Sequence, residues 1–158
     1  MAQDILNVPV GWVMVPAPWR VDAPPKADAQ KWLMTLTGIA DINFKGNSAA
    51  AWRHETFRLH LDWRSPVSWA YGRTPPKDKS LEFVAEQWAP FATINSVYDV
   101  AQSIDAGYAV DSCTPMLVGR NFDGLEVVVG VRDTDAYLYK IGFQVTVLGK
   151  IVLEDFPV

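Results

Sequence analysis

His60 and Asp62 stand two residues apart, the spacing at which side chains leave the same face of a β-strand and can converge on one ion. His54 is six residues from His60, about 20 Å along an extended chain, so it cannot share that ion. A zinc-type site needs three or four ligands, and the chain has no third histidine to offer. A solvated polar face alternating with a buried one accounts for the pair more simply. No metal and no cofactor is expected.

Cys113 is the only cysteine. Flanked by Ser112 and Thr114-Pro115, it carries no nucleophile signature, and free cysteine is among the most buried residue types. It is expected to be a structural thiol. Asp123, Asp133 and Asp135 fall in turn-like segments, where carboxylates can hold calcium or sugar hydroxyls. Their spacing is not that of an EF-hand loop, and aspartate bonding to its own backbone in a turn is the plainer role. No glycine-rich phosphate loop, Gly-x-Ser-x-Gly elbow or His-Glu-x-x-His pair occurs. No catalytic residue is expected.

Trp52-Arg53-His54, Trp63-Arg64, Trp69 and Arg73 interleave aromatic and basic side chains. Tryptophan and arginine are the residues most enriched at interface hot spots. Trp63 and Trp69 fall on faces expected to be apolar, which leaves Trp52, Arg64 and Arg73 as the exposed candidates. The whole chain has seven tryptophans, an excess that suits cores, interfaces and sugar-stacking platforms alike. Trp12 and Trp19 add two more to an apolar N-terminal stretch.

These residues must be positioned by mostly extended chain. Phe57, Leu59, Leu61 and Trp63 alternate with Arg58, His60, Asp62 and Arg64, a period of two that predicts a strand over 56–64 with its odd residues inside. Ser65-Pro66 reads as a bend, after which Val67, Trp69 and Tyr71 resume the alternation. Ile5 to Val15 is β-rich but broken by Pro9, so it suits an edge strand or arm. The stretch 27–36 fits helix or strand, with strand favoured from Thr35 onward. Leu81, Val84, Ala85 and Trp88 follow helical spacing, as do Ile94, Val97, Tyr98, Ala101 and Ile104, predicting helices at about 81–89 and 94–106. Asn121-Phe122-Asp123-Gly124 reads as a hairpin turn, and Tyr139 to Val147 as a long strand that runs on through Leu153.

The expected fold is therefore β-dominated α+β. It would be an antiparallel β-sandwich or sheet with those one or two helices and a C-terminal β-meander. The chain reads as a single domain over 1–158, with a possible extended N-terminal arm at 1–25. At 158 residues, a chain buries about 68–70% of its unfolded surface and needs no disulfide or metal. A net charge of −4 argues against a broad nucleic-acid surface. No bilayer-length apolar run and no signal-peptide pattern occurs at the start, so a cytoplasmic location is expected. With no catalytic signature and an excess of tryptophan, the sequence points to a non-enzymatic structural or interaction protein that assembles into a homo-oligomer or larger particle. The alternative is a small-ligand domain, for carbohydrate above all, using tryptophan platforms and the aspartate-bearing loops. Trp12, Trp19, Trp52, Arg64, Arg73, Asp123, Asp133 and Asp135 are the candidate interface or ligand-binding residues.

Overall fold

The computed structural model describes residues 2–17, 30–47, 51–99, 106–133 and 135–155. In chain order the elements are β1 (Gln3–Val8), β2 (Gly11–Pro16), β3 (Trp32–Lys45), β4 (Trp52–Leu61), α1 (Arg64–Tyr71), β5 (Lys79–Asp99), β6 (Gly107–Val118), β7 (Asn121–Arg132) and β8 (Ala136–Asp155). The fold is β-dominated α+β, a curled mixed sheet that forms a half-barrel. Its order is β1-β4-β7-β5-β8-β3-β2, with β6 also paired to β7. Every pairing is antiparallel except β1 on β4.

Two groups of strands make up this sheet, joined among the described residues by one rung between Val84 and Asn121. The Asn121 side chain strengthens the joint by accepting the Phe83 amide at 3.1 Å. Curling brings the two outermost strands together. β1 ends at Val8 and β2 starts at Gly11, and three residues reach at most about 10 Å. Both N-terminal strands thus end the sheet at opposite sides while staying linked through Pro9 and Val10.

The core lies inside the curl. Phe57, Leu59, Leu61 and Trp63 are buried, while Arg58 and Asp62 are exposed and His60 is half-buried, as the alternation predicts. Ile141, Phe143, Val145 and Val147 of β8 face the same core. Glycines allow the closest backbone approaches. A Cβ on Gly124 would lie 1.9 Å from the Leu59 carbonyl oxygen, and one on Gly149 would lie 2.3 Å from that of Val84.

Several expectations are corrected. Residues 81–89 and 94–99 are not helical; they form the 21-residue strand β5, and 100–105 lie outside the described residues. Breaks in the ladder explain the misleading spacing. The register of β5 on β8 shifts between Ala85 and Gln87 and again around Ser96. Each shift flips the inward-facing parity, so the inner row passes from Ala85 to Trp88 and from Ile94 to Val97. An interrupted period of two then looks like a helical i, i+3 step.

The helix lies instead at Arg64–Tyr71, where strand was expected. Pro66 is its third residue, a position where the missing N–H would have had no helical partner anyway. Gly72 ends it in the left-handed region at φ 77°, its amide donating to the Ser68 and Trp69 carbonyls at 3.2 and 3.1 Å. The hairpin between β6 and β7 turns at Gly119-Arg120, with Gly119 at φ 63°, and not at Asp123-Gly124. Nor is the C-terminus a meander. β6 pairs β7, but β8 crosses to pair β5 and β3. The described part of the N-terminal arm belongs to its own sheet, with Val8 and Met14 buried in the core. Among the described residues, no helix is long and apolar enough to cross a membrane.

Candidate functional site

Two surfaces concentrate side chains that packing alone does not explain. One is polar and centred on His60; the other is aromatic and lies along β2.

The outward series of β4 places Arg58 and His60 over β7, where Asp123 and Glu126 point the same way, and beside β1, which supplies Asp4. His60 Nδ1 is 2.7 Å from Asp123 Oδ2 and its Nε2 is 2.9 Å from Asp4 Oδ1. Arg58 Nε donates to Glu126 at 3.3 Å. The Asp4 hydrogen bond raises the His60 pKa above its ordinary 6.5, burial opposes it, and Asp123 raises it further. Two shallow cavities, about 370 and 420 Å³, flank the ring and share His60 and Asp123. Arg64, Trp63 and Asn121 extend the second towards a third, of about 430 Å³, between α1 and the start of β5. Arg64 and Asp123 are thereby brought into one furrow.

His60 and Asp62 do not converge on an ion. Both imidazole nitrogens are occupied by carboxylates, and among the described residues no group of three or more His, Cys, Asp or Glu is arranged to hold a metal. His54 pairs with Asp111 at 2.6 Å across β7. Gly130, the β7 residue opposite His54, makes that reach possible, since a Cβ there would crowd both the His54 and Trp52 rings at 3.1 and 3.2 Å.

The aromatic surface is built by three elements. Trp12 on β2 and Trp32 on β3 share the inner face with buried Met14 and Met34. α1 lays Trp69 between them, with ring centroids 5.6 Å from Trp12 and 6.5 Å from Trp32. Trp69 is 60% exposed, and Trp12 is exposed as well. On the outer face of β2, Val13 and Val15 are exposed, Val13 at 61%. No residue of β2 is charged. Among the described residues β2 pairs only with β3 and ends the sheet, and its far edge has no strand partner there.

The remaining candidates are dispersed. Trp52 covers Gly107 and Gly130, where a Cβ would meet its ring at 2.6 and 3.2 Å, and Arg132 stacks on it at 5.3 Å. Arg73 sits over the Tyr71 ring at 5.3 Å. Asp133 accepts the Asp135 amide at 3.3 Å in a turn, at the opposite end of β7 from Asp123. Trp19 lies outside the described residues. Cys113 is half-buried on β6, and desolvation pushes its thiol up to about 11, which favours the protonated form at neutral pH.

Sequence reasoning missed Asp4 as a partner of His60, because β1 reaches β4 by a parallel pairing that no local pattern announces. It also placed Trp69 inside. Read on a helix, Trp69 falls two positions from buried Val67, about 200° around the axis, and the exposure follows. Comparison with known proteins brings no help here: no family model, no characterised protein and no solved structure is similar to this chain.

Proposed function

We propose that this protein is a non-enzymatic assembly module that associates with further copies of itself through β2. The observation that carries the reading is the uncharged β2 edge, without a strand partner among the described residues, with Trp12, Val13, Val15 and Trp69 exposed beside it. Edge strands are ordinarily protected by charge, bulges or cover, because their free N–H and C=O groups template pairing with another chain. Among the described residues β2 has no charge, no bulge and no second paired strand over Gly11 to Val15, and its register on β3 is unbroken.

The lack of charge on β2 favours a second copy as the partner. In a two-fold contact each residue meets its own kind or a near neighbour, so a charged strand would set like charges opposite one another. β2 avoids that penalty entirely. Antiparallel pairing of β2 with β2 of a second copy satisfies both edges. It also brings together aromatic clusters of the type enriched at interface cores. Repetition through a second contact would build a larger particle.

Light scattering across a dilution series tests the reading. The intact chain is expected to show a molar mass that falls on dilution, and Val13→Lys to remain monomeric throughout. Intact protein that is monomeric at high micromolar concentration would refute it. Substitution is preferable to deleting the N-terminal segment, which would remove Val8 and Met14 from the core.

A further inference from the structure

We infer that His60 is a proton-controlled latch that holds the N-terminal half of β1 onto the sheet. The geometry is unusual for a histidine. Nδ1 faces Asp123 at 2.7 Å and Nε2 faces Asp4 at 2.9 Å, so both nitrogens meet carboxylates, which only accept hydrogen bonds. A neutral imidazole has one N–H. Only the imidazolium can donate to both, and losing its proton turns one contact into a lone pair against an anion.

The two carboxylates are not equally free to withdraw. Asp123 belongs to β7, which is paired on both sides by β4 and β6. Asp4 belongs to a strand that, among the described residues, ends the sheet and pairs only with β4, and its side chain is the more exposed of the two. β1 gives way. Its burial is concentrated at one end, where Val8 is buried and its carbonyl accepts the Asp62 amide at 3.0 Å. From Gln3 to Asn7 only Ile5 is even partly buried. The register on β4 shifts between Ile5 and Val8, and Asn7 adopts a left-handed φ of 54°. The strand is therefore hinged just before its anchor.

Other charges around the ring do not replace the latch. Arg58 is engaged by Glu126 at 3.3 Å. Arg64 and Asp62 line the adjoining cavity, and the facing residues of β6, from Thr114 to Val118, are uncharged. The raised His60 pKa agrees with a ring held in its charged form. Deprotonation thus peels Gln3 to Asn7 from β4 and uncovers the edge of that strand, while Val8 stays docked.

Amide hydrogen exchange on the full chain at low micromolar concentration, corrected for intrinsic rates, tests this between pH 5.5 and 9. Protection of the amides from Asp4 to Asn7 is expected to be lost in step with the His60 titration followed by NMR on the same sample. Protection across β7 and β8 should be unchanged. Asp4→Asn should lower the His60 pKa and leave protection of the segment independent of pH, because a carboxamide can donate to the neutral ring or accept from the charged one. Protection of β1 in the intact chain that ignores the His60 titration would overturn the inference. So would a pH dependence that survives in Asp4→Asn. The first comparison needs no variant.

Discussion

β1 and β2 come from one short stretch of chain, end the same sheet, and are guarded in opposite ways. β1 carries Asp4, a register shift before Val8 and a left-handed Asn7, and it is tied to its neighbour by a histidine. β2 has no charge and no irregularity, and it shows Trp12, Val13 and Val15 to solvent. Polarity, bulges and twist are the devices that stop an edge from recruiting another strand. Their presence on one edge and, among the described residues, absence on the other, three residues away, is the contrast on which the proposed pairing of β2 rests. Composition alone hides the contrast, because Pro9 splits an N-terminal stretch whose two parts point to opposite sides of the half-barrel.

Glycine substitutions probe what lies behind each edge and carry the largest expected effect. Gly124→Ala places a Cβ 1.9 Å from the Leu59 carbonyl oxygen and drives β7 away from β4, the strand that β1 pairs with. Overpacking of this kind costs about 1–3 kcal/mol or more, to be read from urea denaturation. Gly11→Ala, on β2, meets Thr37 at ordinary contact distances, 3.5 Å to Cγ2 and 3.8 Å to the carbonyl oxygen. Its stability should stay within about 0.5 kcal/mol of the parent. Comparable losses at both sites would mean that β2 is as tightly enclosed as β1.

Stability against pH gives the next effect and belongs to the β1 side alone. The folded His60 pKa is raised above 6.5 by Asp4 and then Asp123, so the folded form binds the proton more tightly than the unfolded chain does. The contribution is full below 6.5 and is lost as pH rises through the folded value. The melting temperature of the intact protein should therefore fall across that window. Asp4→Asn should flatten the fall, and a profile unchanged by that substitution would detach the histidine from β1.

The smallest stability effect is predicted at Val13. Because its side chain is exposed, Val13→Lys should move stability by no more than about 0.5 kcal/mol while abolishing self-association in light scattering. A large drop in melting temperature would show that Val13 packs within its own chain.

The sequence made some of this legible and concealed the rest for physical reasons. β4 could be read because it keeps one phase from Phe57 to Leu61 with a single buried face, although the strand ends at Leu61 and not at 64. β5 could not, because its register shifts reset the phase within each window and imitate a helix at 81–88 and 94–98. α1 was hidden by Pro66, which breaks a helix in its interior but is harmless at its third position. Of the candidate site, Trp12, Arg64 and Asp123 could be picked out as residues, but their neighbours come from distant segments. Asp4 meets His60 across 56 residues of chain. Trp69 joins Trp12 only because α1 folds back over the inner face of β2.

The most direct test of the central proposal is residue-resolved amide exchange at several protein concentrations and fixed pH. Pairing of β2 with a second copy predicts that amides from Gly11 to Val15 gain protection as concentration rises, while those of β1 do not change. Protection that is independent of concentration along β2, or a concentration-dependent gain confined to β1, would contradict the account.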